Sequence, residues 1–210
     1  MRPKTNSYTL AALDADGYVA SANVNSVAVG AGYTIRAAAT HPGDGCSHPV
    51  TITSAGDATG TVFTITGTDA EGRTISEDIT GLDTAAATST KYYSDVTSVV
   101  RKSGATGAIA FTVGYTALAR TPIYPVNSPG TVGSLVKVNM GGTATYTAQW
   151  TNEDVFSTAS DSLHFDDIQG MVAETQDSYG TAPVGATGIR ISVPSHTSGT
   201  LAITYLQGRG

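Results

Sequence analysis

Apolar and polar residues alternate with a period of two in several short stretches of this chain, and turn-forming residues separate the stretches. Val50 and Ile52 alternate with threonines, and Phe63 and Ile65 repeat the pattern a few residues later. Successive side chains of a strand point to opposite faces of a sheet, so this period is typical of half-buried β-strands and does not fit amphipathic helices. The chain is therefore predicted to be all-β.

The stretch 61–80 predicts a β-hairpin, because two alternating runs flank a polar turn at 68–72 that ends in glycine. Glu77 falls in phase with Ile75 and Ile79, which predicts either a bulge or a position at the rim of the sheet. The same alternation predicts further strands at 91–99 and 108–114.

A proline-rich segment divides the pattern, with three prolines between Pro122 and Pro129. Proline cannot donate to a β-ladder, so the segment 119–132 is predicted to be an extended linker. Alternation resumes after it. The elements predicted there are a strand at 136–140, a tight turn at Gly141–Gly142, a strand at 144–150, a helical turn at 163–168, and strands at 189–193 and 201–205 joined by a hairpin loop at 194–199.

The first 47 residues show little periodicity and are rich in small side chains. A turn is predicted at 14–17 and an edge strand at 24–29, but such a segment buries little surface by itself. The predicted organisation is an extended N-terminal arm (1–47), a first β-sandwich-like domain (48–118), a Pro-rich linker (119–132) and a second β-sandwich-like domain (133–210).

Charged residues form only 13% of the chain, about half of the roughly 25% of an average soluble domain. The formal net charge is −6 and the 11 basic residues are scattered, which argues against nucleic acid as a partner. No apolar run is long enough to span a membrane, so no membrane partner is expected. The single cysteine, Cys46, excludes an intrachain disulfide and indicates folding in a reducing cytoplasm.

Catalytic constellations are not evident in the sequence. No Gly-x-Ser-x-Gly elbow is present, and His41, His48 and His196 fall in predicted loops, where solvated side chains are expected. Cys46 lies between Gly45 and Ser47 without a charged neighbour to lower its pKa, so it is interpreted as an inert small residue. The sequence assigns no catalytic residue and no cofactor, and a non-enzymatic protein is expected.

Two acidic turns have the spacing that opens a calcium loop, Asp14 with Asp16 and Asp69 with Glu71. Neither is followed by the bidentate glutamate of such a loop, and Asp and Gly are ordinary turn residues. The segment 164–167 offers a histidine beside two aspartates, but no second histidine lies nearby. No metal site is assigned.

Ten tyrosines and one tryptophan leave a glycan-binding module as an alternative. If Tyr92 and Tyr93 lie on a strand, one of the two rings must point outward. Exposed tyrosines serve protein–protein interfaces equally well. Trp150 shares its predicted face with Tyr146 and two alanines, so it is interpreted as a core residue.

Two parts of the chain resemble a group of structural proteins encoded in the virion modules of tailed phages, proteins usually described as hypothetical or virion-associated. The resemblance covers most of residues 48–115 and 133–208, and matches loosely at 14–17. The stretches that carry it are Val50–Asp57, 63–72, 79–81 and 89–99 in the first part, and 188–193, 196–204 and Leu206–Gln207 in the second. It transfers no functional residue to this sequence.

The resemblance implies a virion component that is made in the host cytoplasm and binds copies of itself, as a trimer, together with other virion proteins such as the major capsid protein. A head decoration or cement protein is favoured, because the chain is small and lacks a triple-helical or coiled-coil period. The alternatives are a neck, collar or tail ring component and a glycan- or receptor-binding appendage.

Overall fold

A computed structural model describes residues 3–37, 41–104, 107–126 and 133–206, whose regular structure is β apart from a 3-10 turn at Val24–Ser26. The all-β prediction is confirmed. In chain order the strands are β1 (Lys4–Thr9), β2 (Asp14–Asn23), β3 (His48–Ser54), β4 (Val62–Thr68), β5 (Thr74–Thr80), β6 (Ala86–Tyr93), β7 (Asp95–Ser103), β8 (Ala110–Tyr115), β9 (Ala119–Arg120), β10 (Tyr124–Pro125), β11 (Ser134–Thr151), β12 (Asp166–Asp167), β13 (Ser178–Ala182) and β14 (Gly188–Leu206).

The strands form two compact units whose membership differs from the predicted domains. The inserted unit comprises Leu13–Gly43 and Ser47–Thr116, and the C-terminal unit comprises Met1–Ala12, Asp44–Cys46 and Ala117–Gly210. The predicted domain boundaries were placed where the local alternation stops. The observed units differ because strands that pair in a sheet are distant in sequence.

The inserted unit is a β-sandwich. One sheet has the strand order β2-β8-β3-β6 and the other has the order β5-β4-β7. Phe63 on β4 and Phe111 on β8 bring their ring centroids within 4.9 Å, and the Tyr33 ring lies 4.8 Å from Phe111. Inward-facing aromatic rings from both sheets therefore form the core between the two layers.

The predicted hairpin at 61–80 is confirmed as β4 and β5, which pair without a register shift. Glu77 therefore lies at a sheet edge and not in a bulge, opposite Ile65. Its carboxylate accepts hydrogen bonds from the backbone N–H groups of Thr90 (2.9 Å) and Lys91 (3.0 Å). Thr90 and Lys91 lie on β6 at the point where its register with β3 shifts. Glu77 therefore accepts hydrogen bonds from N–H groups that lie at this interruption of the β-ladder.

The predicted strand at 91–99 is wrong, because the chain bends at Ser94 between β6 and β7 and passes from one sheet to the other. The Ser94 hydroxyl is bonded to the carbonyl oxygens of Thr68 (3.1 Å) and Asp69 (2.6 Å). A side-chain hydrogen bond to a turn distant in sequence stabilises this bend. The alternation of apolar and polar residues along the chain does not predict the bend.

The C-terminal unit is built on two long antiparallel strands, β11 and β14, which pair from Leu135 opposite Leu206 to Thr151 opposite Gly188. Strands β12 and β13 pair with β11, and β1, β9 and β10 pair with β14. Both halves of the long strands contribute to one buried cluster, which includes Val136, Val138, Tyr146, Ala148, Ile189, Ile191, Leu201 and Ile203.

The predicted turn at Gly141–Gly142 and the predicted loop at 194–199 are wrong, because both segments lie inside the long strands and face each other. Gly142 pairs with Gly199 and has a φ of +93°. Register shifts follow Thr143 and Thr145. Glycine and a break in alternation mark bulges as well as turns, and the local sequence does not separate the two. The predicted helical turn at 163–168 is also wrong, since β12 occupies part of it.

The predicted N-terminal arm is instead divided between the sheets. Strand β1 pairs with β14 along its whole length, and β2 pairs with β8 at Val19 opposite Val113. The predicted turn at 14–17 lies within β2, and the predicted edge strand at 24–29 begins with the 3-10 turn. β1 and β2 form strands despite their weak periodicity, because strands elsewhere in the chain supply partners for their backbone hydrogen bonds.

Part of the predicted linker also belongs to the sheet. Ala119–Arg120 pairs with β14 at Ser192 and Val193, and Tyr124–Pro125 pairs with β14 at Ile189 and Gly188. Pro125 is tolerated because β10 is a two-residue edge strand. Residues 127–132 of the predicted linker lie outside the described residues.

Candidate functional site

Two of the predicted loop histidines are buried strand residues. His48 opens β3 with no exposed surface, and its Nδ1 donates to the carbonyl oxygen of Thr116 at 3.0 Å. His196 lies within β14, and its Nε2 donates to the carbonyl oxygen of Ala11 at 2.8 Å. The expectation of solvated side chains was wrong, because both rings are buried and bonded to residues remote in sequence.

His41 is also mostly covered, with 10% of its side chain exposed. Its Nδ1 contacts the Asp95 carboxylate, and its ring lies 4.9 Å from the Tyr18 ring in an edge orientation. A carboxylate beside an imidazole is part of a hydrolytic triad, but a nucleophile must also bond the second nitrogen. No described hydroxyl or thiol is hydrogen-bonded to either nitrogen of His41.

Cys46 is buried in the core of the C-terminal unit. Burial, followed by the negative charge of Asp44, raises the pKa of its thiol far above the ordinary value. A thiol that stays protonated is neither a nucleophile nor a metal ligand at neutral pH. This environment agrees with the interpretation of Cys46 as an inert residue.

The carboxylates of Asp14, Asp16 and Asp69, from the two predicted acidic turns, are engaged within the protein. Asp14 accepts from the backbone N–H of Asp16 at 3.1 Å, and Asp16 forms an ion pair of 2.7 Å with Arg36. Asp69 is buried and accepts from the N–H groups of Glu71 (3.0 Å) and Arg73 (2.8 Å). The Asp69 bonds shape its turn in the manner usual for aspartate, whereas Asp14 and Asp16 lie within β2.

The 164–167 segment lies at the surface. The Nε2 atom of His164 is 3.4 Å from a carboxylate oxygen of Asp166, and both side chains are more than half exposed. Asp167 accepts a hydrogen bond from the Gln149 side chain at 3.0 Å. Within the described part of the chain, no group of three or more His, Cys, Asp or Glu side chains is arranged to hold a metal ion.

Most tyrosines contribute to the cores. Tyr93 is fully buried and Tyr92 is half-buried on the opposite face of β6, as the alternation of strand side chains requires. Trp150 is half-buried against the core of the C-terminal unit. The widely exposed aromatic side chains are Phe156 (76%) and Tyr179 (75%). The local sequence around Phe156 and Tyr179 does not mark either residue as exposed, because exposure depends on the sheet and not on the neighbouring residues.

Tyr179 belongs to a broad sheet surface of the C-terminal unit, which we call the outer face. The register of β13, β11, β14 and β1 places these side chains on one side of the sheet, opposite the core: Tyr179, Thr181, Leu135, Lys137, Asn139, Thr200, Ala202, Thr204, Thr5, Ser7 and Thr9. Lys137 is the charged residue among them. Leu135 and Tyr179 are exposed, so the face presents hydroxyl and apolar groups with little charge.

Comparison with solved structures gives a weak similarity to structures from infectious bursal disease virus. The VP2 subviral particle of infectious bursal disease virus aligns over 97% of this chain and 71% of that chain, with 13% identity and a TM-score of 0.17. The Gt strain of the same virus aligns over the same shares with 13% identity and a TM-score of 0.15. No family model and no curated protein matches the chain.

The part of the chain that the structure describes contains no helix long and apolar enough to cross a membrane.

Proposed function

We propose that this protein is a non-enzymatic structural component of a tailed-phage virion, made in the host cytoplasm and assembled on the head as a decoration or cement protein. Its partners in this proposal are copies of itself, as a trimer, and the major capsid protein. The observation that carries the proposal is the outer face of the C-terminal unit. The resemblance of the sequence to phage virion proteins supplies the biological setting.

The outer face suits association because its burial removes few charges from water. Desolvating charged groups opposes binding, and interface cores are depleted of them. Threonine hydroxyls donate and accept, so two such faces can form hydrogen bonds in several registers. Leu135 and Tyr179 provide the apolar and aromatic anchors on which binding energy concentrates.

The environments of the reactive side chains support a non-enzymatic role. The His41–Asp95 pair has no hydrogen-bonded nucleophile among the described residues, and the Cys46 thiol has a strongly raised pKa. The carboxylates of Asp14, Asp16 and Asp69 are held by backbone N–H groups or by Arg36. The outer face presents hydroxyl, aromatic and apolar groups suited to contact.

The copy number of the protein in purified particles tests the proposal. We expect quantitative mass spectrometry to find a ratio near one copy per few major capsid subunits, because a decoration protein repeats with the capsid lattice. About a dozen copies per particle would overturn the head position and favour a neck, collar or tail ring, since such rings follow the single tail axis. Absence from purified particles would overturn the virion assignment itself.

A further inference from the structure

The sheet of the C-terminal unit ends in two strands that are paired on one side alone. Strand β1 pairs with β14, strand β13 pairs with β11, and no described residue pairs with the other side of either strand. Both pairings run without a register shift. Apart from Lys4 at the start of β1, neither strand contains a charged residue or a proline. We call the two unpaired sides the β1 edge and the β13 edge.

Backbone groups of β1 point to the β1 edge at every second residue. The Leu10 N–H donates to the Gly199 carbonyl oxygen at 2.9 Å, so these residues form a hydrogen-bonded pair that continues the β1–β14 register. Hydrogen-bonded pairs occur at every second position of an antiparallel ladder. The β1 residues that alternate with them direct their N–H and C=O groups away from β14, and all are exposed: Thr5, Ser7 and Thr9.

The β13 edge has the same arrangement. The Met140 N–H donates to the Asp177 carboxylate at 2.8 Å, so Met140 directs its backbone toward the β13 side of β11. The β11 residues two, four and six positions earlier have the same direction and form the hydrogen-bonded pairs with β13. The β13 residues that alternate with those pairs direct their N–H and C=O groups away from β11, and both are exposed: Tyr179 and Thr181.

The inserted unit, in contrast, protects the edges of its sheets. Residues 30–33 form backbone hydrogen bonds with β7, and the Arg36 N–H donates to the Tyr18 carbonyl oxygen on β2 at 2.8 Å. Glu77 accepts from N–H groups of β6, and β5 itself carries Glu77 and Asp78. Unpaired edges can pair with another chain, and cover or charge prevents this. The β1 and β13 edges lack such protection, which indicates that another chain pairs with them.

We propose that the β1 edge of one copy pairs with the β13 edge of the next copy, so that the sheet continues across the contact. Every pairing in the sheet is antiparallel, so β1 runs with β11 and opposite to β13. In a second copy of the same orientation, β1 therefore meets β13 antiparallel. Contacts between two different edges are head-to-tail and can close into a ring, such as a trimer. The inference rests on the proposed function and names the strands through which copies meet.

The residues at the two edges are spaced alike and lie on the same side of the sheet. Two registers give both Tyr179 and Thr181 a partner: Thr181 lies opposite Thr5 in one and opposite Ser7 in the other. Each opposite pair then exchanges both of its N–H···O bonds. Because all of these side chains belong to the outer face, either register continues that face from one copy to the next.

Cross-linking between variants of the full chain tests the pairing. Thr181→Cys protein is mixed with Thr5→Cys protein or with Ser7→Cys protein, one mixture for each register. We expect one mixture to form an interchain disulfide under mild oxidation, because opposite residues of a hydrogen-bonded pair have Cα atoms about 5.5 Å apart. Non-reducing electrophoresis detects the product, and mass spectrometry of the digest identifies the joined peptides.

Thr200→Cys is the matched control, because Thr200 also lies on the outer face but belongs to β14, which has partners on both sides. Mixed with Thr181→Cys protein, it should stay reduced. Cross-linking of this control would show that outer faces pack against each other, and would overturn the edge pairing. Disulfide-linked dimers of Ser7→Cys protein alone would also overturn it, because two β1 edges would then be in contact.

Ser7→Pro gives a second measurement. It removes an N–H group that points to the β1 edge and that the β1–β14 ladder does not use, a position where an edge strand tolerates proline. Self-association measured by light scattering should weaken about tenfold, while thermal unfolding of the monomer stays near that of the parent. Ser7→Ala keeps the N–H group and should associate as the parent does.

Unchanged association of the Ser7→Pro protein, or no cross-link in either mixture, would overturn the pairing of the β1 and β13 edges. If Ser7→Pro does not fold, the cross-links alone decide. The copy number in purified particles is measured independently. A ratio near one copy per few capsid subunits without cross-links would reject the edge pairing and leave the structural role in place.

Discussion

Gly67 is the residue that lets the chain change sheets between β6 and β7. A Cβ atom at this position would overlap the carbonyl oxygen of Asp95 and lie 2.9 Å from a ring carbon of Tyr93. Both neighbours flank the Ser94 bend, and one of them is backbone, so the crowding is not relieved by rotating a side chain. A glycine is needed here for close approach and not for an unusual φ.

Replacement of Gly67 tests this packing. We expect Gly67→Ala to lower the free energy of unfolding by about 3 kcal/mol, because the strands must move apart to admit the methyl group. Gly60→Ala is the matched control in the same unit, since a Cβ at Gly60 meets no atom within 4 Å. Urea denaturation followed by circular dichroism measures both variants, and equal stability of the two would contradict the close approach.

Asp78 provides a test at acidic pH. Its carboxylate is paired with Lys102 and accepts from the Thr64 hydroxyl at 2.7 Å. The hydrogen bond from Lys102, and then that from Thr64, lower the pKa of Asp78 below its ordinary value. Because the folded-state pKa is depressed, the stabilisation is present above the unfolded-state pKa and is lost as the pH falls through the folded-state pKa.

We therefore expect an NMR titration to place the pKa of Asp78 below the ordinary aspartate value of about 3.9. Lys102→Met should raise the pKa toward that value, because it removes the largest cause of the shift. Lys4→Met, a change in the other unit, should leave the pKa of Asp78 where it is. An unshifted Asp78 in the parent protein would show that solvent screens the pair completely.

Among the secondary-structure elements, the long strands β11 and β14 show the largest difference between the predicted and the observed strand pairing. The two predicted hairpins would pair 136–140 with 144–150, and 189–193 with 201–205. In the structure Asn139 instead pairs with Ala202, and their side chains share the outer face. Residues directly opposite in an antiparallel pair have Cα atoms close enough for a disulfide.

A double variant, Asn139→Cys with Ala202→Cys, should therefore form a disulfide under mild oxidation. Mass spectrometry of the digested protein identifies the cross-linked peptides, and the oxidised protein should melt at a higher temperature than the reduced one. The control pair is Leu135→Cys with Ala202→Cys. Leu135 pairs four residues further along β14, about 13 Å away, so this pair should stay reduced. Cross-linking of the control but not of the test pair would exclude the observed register.

At the scale of the whole molecule, the outer face is the surface through which we expect copies to associate. Tyr179→Glu places a charge on this face and should weaken self-association about tenfold or more, because a buried charge needs a partner. Its stability should change by less than about 0.5 kcal/mol, since the side chain is exposed. Light scattering after size-exclusion chromatography measures association over a range of protein concentrations.

Phe156→Glu is the matched control, because Phe156 is equally exposed but lies outside the outer face. This variant should associate as the parent does and should enter particles at the parent's copy number. If Phe156→Glu abolishes association while Tyr179→Glu does not, the interface lies elsewhere on the molecule.

Local pattern was sufficient to predict the strands that alternate cleanly. In 62–68 the period of two corresponds to alternating buried and half-buried side chains, whereas most side chains of 48–54 are buried on both faces of the sheet. A strand follows from the sequence pattern in both cases, wherever the partner strand lies. The candidate site was less predictable. His196 belongs to a bulged strand and not to a loop, because the two register shifts between β11 and β14 lie on either side of its pair with Ala144, a residue about fifty positions away in the chain.

The all-β class follows from local sequence properties, because each segment carries its own side-chain period of two and its own low charge. The pairing of the strands, the glycines that form bulges and the burial of the histidines follow instead from the folded chain. Those outcomes depend on contacts such as Gly142 with Gly199 and His196 with Ala11, which join residues far apart in the chain. A partner strand can satisfy backbone groups in a segment of weak pattern, and for this reason the predicted arm is in fact part of the sheets.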